Sequence, residues 1–218
     1  MRDPGAEGAE TPSRDARETA RIEAFSDGVF AIAITLLVLE MKVPHTAGAA
    51  LWPQLLAQWP SYFAFITSFA TIGIMWLNHH RMFGFIGRID HPLLILNGVL
   101  LLGVTFVPYP TSVVASYLGH DGERPAACFL ATTYILIAIA FNLLWRYASS
   151  ESRKPRLLRV PPDDPHVAAL RGSYRFGPLY YLATLALAFV SAPASVGLNL
   201  ALAVYWALPA RPAGGRSA

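Results

Sequence analysis

Apolar runs of membrane-spanning length alternate with short polar segments along the whole chain. At ~1.5 Å per residue, about twenty helical residues cross a ~30 Å hydrocarbon core. Six runs reach or approach that length: 24–39, 55–77, 92–114, 126–145, 174–192 and 195–208. The pattern predicts an all-α integral membrane protein with six transmembrane helices, the last two forming a helical hairpin.

Prolines refine the expected helix boundaries. Pro53 suits the first turn of the second helix, where its missing N–H is tolerated. Pro108 and Pro110 are expected to kink the far end of the third helix. A tight turn over 191–195 would join the fifth and sixth helices.

The first apolar run differs from the others because it contains a cluster of polar residues. It is apolar from Ala24 to Leu39 except for Ser26, Asp27 and Thr35. An ionised aspartate facing lipid would cost roughly 2.5 to 3.5 kcal/mol on insertion scales. We therefore expect Asp27 to face protein and to have a polar partner.

Helical periodicity gives this first helix two distinct faces. At ~100° per residue, one stripe holds three aliphatic side chains, Ile32, Leu36 and Leu39. Thr35 lies at the edge of that stripe, whereas Ser26 and Asp27 point well away from it. Periodicity alone leaves open whether the stripe meets lipid, core or a pore, and whether Thr35 simply bonds to the carbonyl of Ala31.

Composition supports the membrane interpretation. The chain has 218 residues, of which 54% are hydrophobic and only 14% charged, too apolar for an ordinary soluble domain. The single cysteine, Cys128, excludes an intrachain disulfide. The net charge of +3 comes from basic residues in loops, so we do not expect nucleic acid as a partner.

The basic residues predict the orientation of the chain. Of 17 lysines and arginines, only Lys42 and Arg124 fall on the side opposite the termini of a six-span protein. The positive-inside rule therefore places both termini in the cytoplasm of a multi-pass cell-membrane protein. We expect a disordered tail over 1–20, an uncleaved first helix, a six-helix transmembrane domain over 21–208 and a tail over 209–218.

The basic loop over 146–175 is the one substantial hydrophilic segment between spans, and membrane lipid head groups are its expected partners.

Several polar residues of the first three helices share one cytoplasmic level. Trp76, His79 and His80 recur at helical spacing near the end of the second helix, and Asn97 lies near the start of the third. These side chains can meet Asp27 in an interhelical polar network. The alternative is that the two histidines are interfacial residues in contact with water or head groups.

Catalytic and metal chemistry have little support in the sequence. Adjacent histidines diverge by ~100° on a helix, and the other four lack ligand spacing: His45, His91, His120 and His166. The sequence contains no G-x-S-x-G, no H-E-x-x-H and no Gly-rich phosphate loop. It also lacks a T-V-G-Y-G filter. We expect no enzyme activity and no cofactor.

A short motif at the start of the first helix resembles a known family. Arg21, Phe25, Ser26 and Asp27 form R-x-x-x-F-S-D, which resembles the opening of the first membrane helix in the transmembrane protein 175 family of potassium channels. That family also places a Trp, a His and an Asn against its F-S-D segment. The matching positions here are Trp76, His79 or His80, and Asn97.

The resemblance implies a pore lined by the first helices of several subunits. The bulky aliphatic residue five positions after the motif's aspartate forms the family's constriction and matches Ile32, with further apolar positions at Leu36 and Leu39 and a hydroxyl position at Thr35. The motif occurs once in this chain, so resemblance to the prokaryotic members implies a homotetramer. Gly28 either permits close helix approach or is a simple packing residue.

These observations predict a homotetrameric potassium-permeable channel with a hydrophobic constriction and no catalytic residues or cofactor; potassium is its only expected metal. A small secondary transporter, using the polar network as a proton or substrate site, is the alternative from another class. A membrane enzyme using the paired histidines is a third hypothesis.

Overall fold

A computed structural model describes residues 13–44, 51–152, 155–161 and 163–207 of the chain. Its secondary structure is helical, apart from an isolated antiparallel bridge between Ile86 and Leu158. The α-helices are α1 Arg14–Leu36, α2 Leu51–Ala57, α3 Trp59–Phe85, α4 His91–Phe106, α5 Pro108–Tyr117, α6 Glu123–Ala148, α7 Pro165–Arg175, α8 Gly177–Ala188 and α9 Ala192–Ala207. A 3-10 segment, Leu37–Glu40, continues α1.

Four helical segments are long and apolar enough to cross a membrane. They are Arg14–Glu40, Trp59–Phe85, His91–Tyr117 and Glu123–Ala148, and they match the first four predicted spans. Helices α8 and α9 are apolar but shorter, with 12 and 16 residues. The prediction of an all-α membrane protein is confirmed at this level.

Helix α1 begins earlier than its apolar run. Ser13 caps it by accepting a hydrogen bond from the backbone N–H of Ala16 at 3.2 Å. Thr19 is buried and donates to the carbonyl of Asp15. Residues 14–20 are therefore helical, which corrects the expected disordered tail, whereas positions 1–12 of that tail lie outside the described residues.

Helix α3 also departs from its predicted bounds. It begins at Trp59, after the short α2, and continues through both histidines to Phe85. Two of the polar residues after position 77 have partners on neighbouring helices: His79 bonds to Asn97 of α4, and His80 lies beside Glu23 of α1. The third span breaks where prolines predict it, because Pro108 has no N–H to continue the helix and Val107 donates to Val104 in a tightened turn.

The predicted hydrophilic loop over 146–175 is partly helical. Its first residues complete α6, and α7 begins after Asp164, whose carboxylate accepts the His166 N–H at 2.8 Å. That hydrogen bond holds the pKa of Asp164 below its ordinary value. The fifth apolar run starts at the end of α7 and continues as α8, and α9 starts at Ala192 rather than 195. Position 208, the expected end of the sixth span, and the expected C-terminal tail over 209–218 lie outside the described residues.

Helix α6 forms the centre of the bundle, since it packs against α4, α5, α8 and α9. Its largest fully buried side chains are Tyr134 and Trp145. Helix α1 packs mainly against α3 and α4, on the outside of this arrangement. One face of α1 is therefore left without contacts inside the subunit.

Candidate functional site

The two faces predicted for α1 are separate in the structure. The packed face carries Phe30, Ala33 and Leu37, each at most 1% exposed. The predicted stripe points away from the subunit: Ile32 is 58% exposed, Leu36 40% and Leu39 74%. The stripe therefore does not belong to the subunit's own core, and it remains available to a pore, another subunit or lipid.

Thr35 lies beside that stripe. Its hydroxyl donates to the carbonyl of Ile32 at 2.9 Å, not to that of Ala31. Donation uses only the proton, so the oxygen keeps lone pairs that can accept from water or contact a cation. A Cβ added at Gly28 would meet nothing within 4 Å, so this glycine also leaves room beside the helix.

A buried line of hydrogen bonds joins α1, α3 and α4. Ser26 donates to the carbonyl of Ile22 at 2.9 Å and accepts from the Asn97 amide nitrogen at 3.0 Å. The amide oxygen of Asn97 accepts from Nε2 of His79 at 2.9 Å. All three side chains of this line, Ser26, Asn97 and His79, are buried, so they fix the rotation of α1 against its neighbours.

His79, rather than His80, belongs to this buried line. Its ring stacks on Phe83 with centroids 4.3 Å apart and contacts Phe30 at 5.3 Å. Its Nδ1 has no hydrogen-bond partner among the described residues, consistent with a neutral ring that uses Nε2–H as its donor. His80 points outward and lies 2.9 Å from a carboxylate oxygen of Glu23.

Asp27 bonds to only one of its expected partners, Trp76. It accepts a hydrogen bond from Nε1 of Trp76 at 2.9 Å, while His79 bonds to Asn97 and Asn97 bonds to Ser26. Adjacent residues differ by ~100° around a helix, so Ser26 turns inward when Asp27 lies at the side. The predicted single network is therefore corrected to a buried line and a separate, exposed Asp27–Trp76 bond.

The other two motif residues lie outside these hydrogen bonds. Arg21 and Phe25 are on the exposed side of α1, and Phe25 is 65% exposed. Arg21 has no hydrogen bond or ion pair within the ranges that the structure describes. Their predicted place in the interhelical network is thus not seen within one subunit.

Sequence reasoning missed a second link between α1 and the α3–α4 turn. Arg88 bonds to the carboxylate of Asp15 at 2.6 Å, with both side chains about half exposed. Exposed ion pairs of this kind contribute roughly 0 to 1 kcal/mol to the stability of the fold. The only signal in the sequence is that opposite charges fall on the same predicted side of the membrane.

Metal binding finds no support in the described ranges. They contain no group of three or more His, Cys, Asp or Glu side chains that could hold a metal ion. His45 lies outside those ranges. The polar residues of the site are instead arranged in pairs and lines between helices.

Known proteins resemble this chain over most of its length. Residues 21–108 match the family described as endosomal/lysosomal potassium channel TMEM175. A protein named potassium channel from Chamaesiphon minutus is 52% identical over 194 residues, covering 88% of this chain and 94% of that protein. Another protein named potassium channel, from Streptomyces collinus, is 44% identical over 191 residues, covering 87% of this chain and 91% of that protein.

A solved structure gives the same result in three dimensions. The crystal structure of a lysosomal potassium-selective channel TMEM175 homolog from Chamaesiphon minutus matches with a TM-score of 0.78 and 49% identity. The match covers 88% of this chain and 97% of that chain. The family predicted from the first-helix motif is confirmed, and this chain belongs to the TMEM175 family.

Proposed function

We propose that this protein is a potassium-permeable channel of the cell membrane whose pore is lined by α1. The observation that carries the proposal is the exposed aliphatic stripe on a helix whose opposite face is fixed by buried hydrogen bonds. The similar proteins from Chamaesiphon minutus and Streptomyces collinus are both named potassium channels. The family is a channel family and not an enzyme class, so the membrane-enzyme hypothesis is set aside.

One chain supplies one stripe, so a pore requires several copies. We infer a homotetramer in which four α1 helices surround the axis, with six spans per subunit, both termini in the cytoplasm and a membrane domain over 21–208. Ile32 would form the narrowest ring, with Leu36 and Leu39 following it towards the outside. The stripe is too exposed to be part of a monomer's core, which supports an arrangement of this kind.

Ile32 is the proposed constriction because an apolar ring acts on ions through their hydration. A narrow hydrophobic constriction can gate by dewetting, and it favours the cation that loses its hydration water at least cost. The hydroxyl oxygen of Thr35, one helical turn further on, offers an acceptor to a partly dehydrated ion. The buried line through Ser26 would act as support, because it keeps the stripe directed at the axis.

The replacement Ile32→Asn tests this proposal. A polar ring should hold water, so we expect a larger current and weaker preference among monovalent cations in bilayer recordings of purified protein. Leu182→Asn is the matched control, because Leu182 is 47% exposed on α8, away from α1. Equal effects of both replacements, or unchanged conductance and selectivity in an intact tetramer, would contradict the pore assignment.

The same recordings address the transporter hypothesis. A channel gives a passive current that grows with the electrochemical gradient, whereas a secondary transporter gives coupled uptake that saturates. Size-exclusion chromatography of the same samples measures the oligomeric state. Saturating, coupled uptake by the unmodified protein would favour the transporter.

A further inference from the structure

A polar cavity lies at the end of α6, away from the α1 stripe. Its volume is ≈ 440 Å³, and its lining comes from the end of α6, the turn after it and α7. The lining residues are Arg146, Ser149, Ser150, Glu151, Ser152 and Arg171. Because α6 is one of the candidate membrane spans, the cavity lies at the level where that span leaves the apolar region.

The lining provides the groups that bind a phosphate. Arg171 donates to the carbonyl of Ser149 at 3.0 Å and lies 3.5 Å from a carboxylate oxygen of Glu151, so its guanidinium is held at the cavity. Arg146 is exposed and has no hydrogen bond or ion pair to any residue described. Two guanidinium groups against one carboxylate, with neighbouring serine hydroxyls, favour an anion that accepts several hydrogen bonds.

An apolar track leads along α6 to the same place. Leu136, Ile139 and Leu143 are exposed at 62%, 39% and 50%, and their spacing of three and four residues continues to Arg146. Acyl chains lying on this track would bring a head group to the arginines. At ≈ 440 Å³ the cavity is also larger than a bare phosphate needs.

We propose that this cavity binds the phosphate-bearing head group of an anionic phospholipid. The membrane-level position and the apolar track favour a lipid over a free phosphate, which shares only the head-group chemistry. Glu151 competes with the phosphate for Arg171, and an exposed pair at 3.5 Å is weak enough to be displaced. Glu151→Gln should therefore strengthen lipid binding.

The test measures lipid binding to the purified full-length protein, independently of any current. Native mass spectrometry and thermal unfolding would be followed with phosphatidylglycerol and, separately, with phosphatidylcholine and with glycerol 1-phosphate. We expect phosphatidylglycerol to bind and to raise the melting temperature, and Arg146→Gln to weaken its binding about tenfold, as expected for loss of one charge-assisted contact. Arg171→Gln should act in the same direction.

Arg124→Gln is the matched control, because Arg124 lies at the opposite end of α6. Equal weakening by Arg124→Gln and Arg146→Gln would overturn the proposal, since it would indicate diffuse charge rather than a site. Binding of glycerol 1-phosphate as strong as that of phosphatidylglycerol would overturn the assignment to a lipid. Arg146→Gln changes an exposed side chain, so it keeps the test valid even if Arg171→Gln loosens α7.

Discussion

The Ser26 hydroxyl makes two hydrogen bonds, one within α1 and one to α4, so the orientation of α1 depends strongly on this residue. Its proton goes to the carbonyl of Ile22, and its lone pair accepts from Asn97, which in turn bonds His79. All of these side-chain groups are buried, so none can turn to water if a partner is removed. Removal of one member of the buried line therefore leaves a buried polar group without its partner.

Ser26→Ala should destabilise the protein because the Asn97 amide loses its buried acceptor, at a cost of about 1 to 3 kcal/mol. Thr19→Val is the control, since buried Thr19 makes the same type of bond to a carbonyl four residues earlier but no bond to another helix. Thermal unfolding in detergent measures the stability of both variants. A similar loss of stability in the two variants would show that the interhelical bond contributes little.

Thr35→Val keeps the side chain's shape and removes its oxygen. If Thr35 meets the ion, the potassium-to-sodium permeability ratio should fall towards one in a bi-ionic reversal-potential measurement, with folding unchanged. Thr105→Val is the control on α4, where an exposed hydroxyl likewise donates to the carbonyl three residues earlier. An unchanged reversal potential in Thr35→Val would assign that hydroxyl to its backbone bond alone.

At the residue scale, the sequence predicted the candidate residues better than their pairing. The stripe of Ile32, Leu36 and Leu39 follows from helical period, and the structure places all three on an exposed face. The choice between His79 and His80, and the bond from Trp76 to Asp27, depend on how far α3 is rotated against α1. Periodicity within one helix contains no such information.

Helix α3 and the segment over 155–161 form a connection that no local pattern predicts. The carbonyl of Leu157 accepts from the N–H groups of Gly87 and Arg88 at 2.7 and 3.1 Å. The backbone N–H of Arg159 donates to Phe85, and its side chain donates to Ile86. The expected basic loop is thus tied to the α3–α4 turn through pairings between residues about seventy positions apart, which composition cannot indicate.

Gly87→Ala should break this connection. A Cβ at Gly87 would lie 2.5 Å from Cγ of Arg159, close to the backbone of that residue, so the 155–161 segment must move. We expect the free energy of unfolding to fall by about 1 to 3 kcal/mol, which is typical of overpacking. We also expect faster trypsin cleavage after Arg156 and Arg159. Gly84→Ala is the control, because a Cβ there meets nothing within 4 Å; equal cleavage rates in both variants would contradict the contact.

At the scale of the whole molecule, the number of spans depends on the two short helices, α8 and α9. Tyr134 of α6 contacts Tyr181 of α8 at 5.6 Å, and Trp145 of α6 contacts Tyr174 at the end of α7 at 6.2 Å, so the chain from Tyr174 to Tyr181 runs antiparallel to α6. Helices α8 and α9 are ~18 and ~24 Å long at 1.5 Å per residue, less than a ~30 Å hydrocarbon core. Length alone therefore favours four spans, whereas the antiparallel direction meets a requirement of six spans and also fits a re-entrant hairpin.

Four and six are both even numbers of spans, so either places the two termini on the same side of the membrane. The side on which the α8–α9 turn lies distinguishes the two. Val190 in that turn is 75% exposed. With six spans, Val190→Cys in a Cys128→Ser background should react with an impermeant maleimide added outside intact cells. Asp121→Cys in the α5–α6 turn is the outside control, and Asp163→Cys before α7 is the inside control. Labelling of Val190→Cys only after permeabilisation, together with Asp163→Cys, would mean that α8 and α9 re-enter from the cytoplasm and that the subunit crosses the membrane four times.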